Sequence, residues 1–301
     1  MTLRLATRSS PLALVQARRV QALLAAAGVE GAEVVTVESE GDQRQEVPIA
    51  ELGTWGAFTN AIERAVLAGR AEIAVHSAKD LPAATDDGSL VLAAVPERAD
   101  PRDVLVGGRL EDLTPGALVL TGSVRRRAQL AHRRPDLLFG ELRGNIGRRL
   151  ERAGPSVAVV VAAAALERMA IVPADAEVLD FSTMLPMVGQ GALALRCRED
   201  DAEALAALAA IDDVALHRAL DAERAFLATL GGGCRAPLGA YAEAAGACGP
   251  IRLQALLASG DGHVVLRRGA TGDEPLALGS ALATALLDED GGRSLLGAAL
   301  G

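Results

Sequence analysis

The chain is poor in aromatic residues, which make up 2% of its 301 residues: one Trp, one Tyr and four Phe. A surface that stacks nucleic-acid bases needs several aromatic faces, so that class of function is disfavoured. The cores must be aliphatic, built from Leu, Val and Ala. Cysteine is nearly absent as well. Cys197, Cys234 and Cys248 form an odd, sparse set, unsuited to a disulfide framework and in keeping with a reducing cytoplasm. No Cys/His cluster has metal-ligand spacing. The longest apolar run, 157–166, is too short to span a bilayer. The first residues enter a strand-like pattern without the apolar core of an export signal, so a cytoplasmic location is expected. Positive charge is also in deficit, at a net −9, which argues against general binding to nucleic acid or anionic membranes. Lysine is the scarcest cation. Lys79 is the only one among 30 basic residues, leaving 29 arginines. A lone lysine in such a chain suggests a position that needs a compact ammonium.

What is present is alternation. Apolar strand-like runs at 3–7, 34–38, 73–76 and 90–95 alternate with helical patterns at 11–27 and 57–67. Ser9 or Ser10 caps the first helix, Pro11 opens it and Gly28 ends it. The proline-bracketed stretch 96–101 reads as a hinge. The pattern then restarts, with strands at 104–106, 118–121, 137–142 and 157–161. Helices are expected at 124–133, 146–153 and 162–169. Residues 186–192 read as a second crossing. A helix at 214–230 follows, then strands at 238–243, 251–258 and 263–268 and a helix at 275–287. The expected class is α/β: two hinged lobes like those of periplasmic binding proteins, plus a small C-terminal α+β domain. The expected boundaries are 1–95 with 190–210, then 101–186, then 214–301. No internal repeat is visible.

Three strand-to-helix turns carry arginine: Arg8-Ser9-Ser10, Gly122-Ser123 before Arg125-Arg126-Arg127, and Arg143-Gly144-Asn145 before Arg149. Free N–H groups and the helix dipole favour an anion at such turns, and guanidinium groups bind carboxylate at two points. One such turn is weak evidence, and three together point to a polyanion. Consecutive arginines on a helix diverge, so not all three of 125–127 can face one ligand. Arg133 and Arg134 read as surface charge. Lys79 and Asp80 follow a strand end in His76-Ser77-Ala78-Lys79-Asp80. There a carboxylate among cations can hold or accept a proton. His76 alone reads as a packed strand residue. Cys234, between glycines and Arg235, reads as an accessible thiol whose thiolate the arginine favours, or equally as a small residue in a tight turn. Cys197 and Cys248 read as structural.

The order of these motifs resembles the porphobilinogen deaminase (hydroxymethylbilane synthase) family. It is carried by Ala6-Thr7-Arg8-Ser9-Ser10-Pro11-Leu12-Ala13, His76-Ser77-Ala78-Lys79-Asp80-Leu81-Pro82, Asp100-Pro101-Arg102-Asp103 and Ser123-Val124-Arg125-Arg126. It continues through Leu142-Arg143-Gly144-Asn145, Val188-Gly189-Gln190-Gly191-Ala192 and Gly232-Gly233-Cys234. The resemblance implies a transferase that joins four porphobilinogen units head to tail, with loss of ammonia. Growth occurs on a covalent dipyrromethane cofactor, and the linear tetrapyrrole hydroxymethylbilane is released. By position, Cys234 carries the cofactor. Lys79, Ser123, Arg125, Arg126 and Arg149 match cofactor-binding positions, Arg8, Ser10, Arg143 and Arg168 match substrate-binding positions, and Asp80 matches the catalytic aspartate. The resemblance also implies three domains, with porphobilinogen as the small-molecule partner. A monomer is expected, with no metal and no nucleic-acid or membrane partner. Departures from the family pattern fall at Glu51, Trp55 and Gly122. The first two lie in 42–58, expected to form a lid, so altered lid behaviour or kinetics is expected there. A non-catalytic hinged binding protein would explain the arginine turns but neither Asp80 nor Cys234. A nucleic-acid module fits the charge and composition poorly.

Overall fold

The computed structural model describes residues 2–38, 60–83, 89–231 and 236–300. The chain divides into two compact units, 1–98 with 192–218, and 99–191 with 219–301.

In the first unit, β1 (Arg4–Arg8), β2 (Glu33–Val37), β3 (Ile73–Ser77), β4 (Leu90–Ala94) and β10 (Leu193–Arg198) form one sheet in the order β2-β1-β3-β10-β4. The strands β2, β1 and β3 are parallel, while β10 runs antiparallel to β3 and β4. Helix α1 (Pro11–Ala26) presents Ala13, Gln16, Ala17, Val20 and Leu24 to the core, one stripe at helical spacing. Gly28, at φ 84°, stops it. Helix α2 (Asn60–Leu67) packs Ile62 and Val66 against Ala6 and Ala74, and α6 (Ala202–Ala209) joins a core of Leu5, Leu24, Ile73 and Leu195.

In the second unit, β5 (Asp103–Val106), β6 (Leu118–Leu120), β7 (Leu138–Gly140), β8 (Val157–Ala162) and β9 (Ala176–Leu179) form a sheet in the order β7-β6-β8-β5-β9. Its first three strands are parallel, and β5 is antiparallel to both neighbours. Helices α3 (Val124–Arg133), α4 (Ile146–Leu150) and α5 (Ala163–Arg168) follow β6, β7 and β8. The same unit contains α7 from Ala219 onward (Val214–Thr229), an antiparallel sheet of β11 (Leu238–Ala244), β12 (Ile251–Ala258) and β13 (Val265–Gly272), and helices α8 (Pro275–Asp288) and α9 (Arg293–Leu300). Leu256 and Ala258 of β12 are buried with Ala128 of α3 and Leu185. Gly279 of α8 meets Ala222 and Phe226 of α7 so closely that a Cβ there would strike the Ala222 carbonyl.

The two five-stranded sheets share one topology that the sequence does not display. Each has three parallel strands and a fourth, antiparallel one that follows a chain crossing: β5 after Arg98/Ala99 and β10 after Gly191/Ala192. Strands β9 and β10 and helices α6 and α9 were not anticipated. Strand β10 is nearly all buried (Leu193, Ala194, Leu195, Arg196 and Cys197), so it lacks the alternation that marks a half-exposed strand. Helix α4 ends at Leu150, shorter than expected, where the chain tightens into turns in which the Arg152 N–H donates to the Arg149 carbonyl and the Ala153 N–H to the Leu150 carbonyl.

Candidate active site

In the first unit, β1 and β3 are parallel neighbours, so both end at the same edge of the sheet. Beyond β1, Ser10 caps α1 by accepting from the Ala13 N–H at 3.4 Å. Beyond β3, the chain makes one 3-10 turn, Ala78–Asp80, tied down where the Ala78 N–H donates to the Ala192 carbonyl at 2.9 Å. Between these ends lies a cavity of about 50 Å³, lined by Arg8, Ser10, Gln16, His76, Ser77 and Asp80 among others. Three residues singled out from the sequence, Arg8, Ser10 and Asp80, thus meet at one cavity. Lys79 lies beside them on the turn, half-buried. Gln16 was not anticipated. It is buried in α1, and its Nε2 donates to Ser77 Oγ at 2.7 Å.

His76 is packed, as its position in a strand suggested, but it also lines the cavity. Burial, reinforced by the positive charge of Arg196, lowers its pKa to about 3. The imidazole is therefore neutral in the folded protein across the physiological range. The unfolded chain takes up a proton near pH 6.5. Below that pH the proton favours the unfolded state, so this group weakens the fold as pH falls from about 6.5 towards 3. Denaturation midpoints at pH 7 and pH 5 are expected to differ less in His76→Asn than in the parent. An unchanged difference would contradict the buried, neutral imidazole.

In the second unit, Ser123 caps α3 by accepting from the Arg126 N–H at 3.4 Å. Arg125 and Arg126 are both buried, and both turn onto Asp103, which is fully buried at the start of β5. Arg125 reaches Oδ2 at 2.8 Å and the Leu185 carbonyl at 2.7 Å. Arg126 reaches Oδ1 at 2.7 Å and the Val160 carbonyl at 2.8 Å. Gln190 Nε2 donates to the same Oδ1 at 2.9 Å. Arg127 is exposed, as divergence along the helix requires. Burial would raise the Asp103 pKa, but the charges and hydrogen bonds of the two arginines overcome it and hold the pKa at about 2. Asp103 and Gln190 lie in motifs quoted above, but nothing in the sequence showed that they meet.

Arg143 follows β7, half-buried. Asn145 caps α4, and Arg149 donates from Nε to the Gly144 carbonyl at 2.7 Å. Arg168, at the end of α5, donates to the Gly191 carbonyl at 2.7 Å. Gly122 lies against the Leu142 carbonyl, where a Cβ would sit 3.0 Å away; a serine there needs a small shift. Arg134 departs from its reading as surface charge. It binds the Leu110 and Leu113 carbonyls as well as Asp136, clipping the start of β7 to the loop before β6. Cys234 and the whole of the expected lid, 42–58, with Glu51 and Trp55, fall outside the described residues. Among the described residues, no His/Cys/Asp/Glu group could hold a metal ion, and no helix is long and apolar enough to cross a membrane.

Fold and site define an α/β protein that presents arginine and serine at the carboxyl ends of parallel strands, with a carboxylate among them. The chain belongs to the porphobilinogen deaminase family. The pattern for "Porphobilinogen deaminase, dipyromethane cofactor binding domain" matches residues 3–206, and that for "Porphobilinogen deaminase, C-terminal domain" matches residues 218–288. The chain is 44% identical to the porphobilinogen deaminase of Roseiflexus sp. (strain RS-1), covering 98% of each chain. It is 42% identical to that of Syntrophus aciditrophicus (strain SB), covering 98% of this chain and 97% of the other. Among solved structures, immunogenic lipoprotein A from Vibrio vulnificus overlaps 69% of this chain and 94% of its own at 11% identity and TM-score 0.43. That likeness is too distant to bear on function.

The family's cofactor, dipyrromethane, is anionic through its carboxylates, and the donors present suit it. Two buried guanidinium groups face one carboxylate, leaving a residual charge of +1, and Arg125 Nε is buried without a partner. Such a cluster favours a further anion.

Proposed function

We propose that the protein is a hydroxymethylbilane synthase, a transferase that condenses four porphobilinogen molecules head to tail. Each addition forms one carbon–carbon bond and releases one ammonia, and water frees the finished tetrapyrrole. The observation that carries this reading is the cavity that unites Asp80 with Arg8 and Ser10 in a chain of this family.

Arg8, Ser10, Arg143 and Arg168 bind and orient the acetate and propionate groups of the substrate and growing chain. The Asp80 carboxylate faces the ammonium of porphobilinogen, stabilises the cation left on the substrate when ammonia departs, and afterwards accepts the proton lost from the pyrrole carbon that has formed the new bond. Lys79, Ser123, Arg125, Arg126 and Arg149 would hold the dipyrromethane, bound as a thioether on Cys234. When bound, that group supplies the nucleophilic pyrrole carbon on which the chain grows. We further propose a three-part organisation with the C-terminal α+β domain carrying Cys234, and a cytoplasmic monomer, in keeping with the sparse cysteines and acidic charge.

Intact-mass measurement of the protein made in cells that synthesise porphobilinogen, beside Cys234→Ser, tests the reading. The expected result is an added mass of two pyrrole units on the parent and none on the variant. A parent that stays unmodified, even after incubation with porphobilinogen, would overturn it.

A further inference from the structure

Among the described residues, His76 is the one titratable side chain lining the Asp80 cavity that the mechanism above leaves unused. It is 4% exposed, and its Nε2 has no hydrogen-bond partner. Among the described residues, the nearest carboxylate oxygen to Nε2 is Glu63 Oε1, 4.0 Å away and beyond hydrogen-bond reach. Glu63 is itself held by Arg196, which also donates to the Leu90 carbonyl. The imidazole therefore stands against a satisfied ion pair on one side and the cavity on the other. A buried polar ring left unbonded is costly, and a site that needed only bulk would be better filled by an apolar side chain. The ring is neutral, so it offers one donor and one acceptor. With the proton on Nε2, the nitrogen on the Glu63 side, Nδ1 is the acceptor.

We propose that His76 contacts the substrate, accepting a hydrogen bond from the aminomethyl group of porphobilinogen beside Asp80. The proposal rests on the function stated above. The cavity wall then carries two kinds of group. Arg8 and Ser10 offer donors, which suit a carboxylate; Asp80 and His76 offer acceptors, which suit the one cationic group of the substrate. Because burial, reinforced by Arg196, keeps the ring uncharged, His76 accepts from the ammonium without repelling it.

The test uses the whole enzyme with nitrogen-15-labelled histidine. There are four histidines, and a His76→Asn variant assigns the His76 signals by their loss. On adding porphobilinogen, the signal of the unprotonated His76 nitrogen is expected to shift as its lone pair is engaged. In parallel, kcat/KM is expected to fall about 10–100-fold in His76→Phe and to recover in part in His76→Asn, whose amide oxygen restores an acceptor. A His76 signal that ignores porphobilinogen overturns the inference, even if His76→Phe is slow, because the loss is then one of packing. Parent enzyme that turns over porphobilinogen while this signal stays still refutes the His76 contact alone. Parent enzyme that does not consume porphobilinogen at all refutes the underlying function, and the contact with it.

Discussion

Replacing Asp80 by Asn is expected to lower turnover by about 10²–10⁴-fold, the range for loss of a positioned proton acceptor. The side chain keeps its size and some hydrogen-bonding capacity, but an amide cannot give up or take a proton at neutral pH. Asp80 sits on a short turn at the rim of a cavity and is half-exposed, so the fold has little stake in its charge. The variant should therefore unfold at the same denaturant concentration as the parent. Rates of hydroxymethylbilane formation and the ladder of intact masses would be measured together. The variant should accumulate short pyrrole adducts and stall. Turnover within tenfold of the parent would remove Asp80 from its proposed role.

Asp103 is expected to have the largest effect on stability. Asp103→Asn removes the one carboxylate that faces two buried guanidinium groups, leaving like charges together without compensation. Breaking a buried pair in this way costs about 3–5 kcal/mol. The denaturation midpoint should fall with an unchanged slope against denaturant. The pH dependence follows from the depressed pKa of about 2. The contribution of Asp103 is fully present above the unfolded value near 4 and is lost as pH falls from about 4 to 2, amounting to roughly 2–3 kcal/mol. The variant should lose that acid limb. A variant as stable as the parent at pH 7 would mean that water or the cofactor, not Asp103, balances Arg125 and Arg126.

These two residues show how unevenly the site could be read. Asp80 was legible because its neighbours along the chain, Lys79 and His76, sit at a strand end. Arg8 and Ser10 were legible because a hydroxyl and a proline announce a helix start. Asp103 was not, because its partners lie 22, 23 and 87 positions away. The same holds for the Gln16 bond to Ser77, across 61 positions. No local pattern carries contacts of that separation. Arg125 and Arg126 were expected to meet an anion; one such anion proves to be a side chain of the protein itself.

Local chemistry in the sequence determined the α/β alternation, the capped helix starts, the aliphatic cores and, through the motifs in their order, the family. Those features depend on residues within a few positions of one another, where spacing alone sets the face or the turn. Tertiary structure decided the rest. It placed β10 between β3 and β4 and gave both sheets one topology. It turned His76 from a packed strand residue into a cavity wall, and it spent most of two arginines on Asp103. Each outcome depends on which buried polar groups find partners once distant strands pair, and that is settled only when the chain has folded.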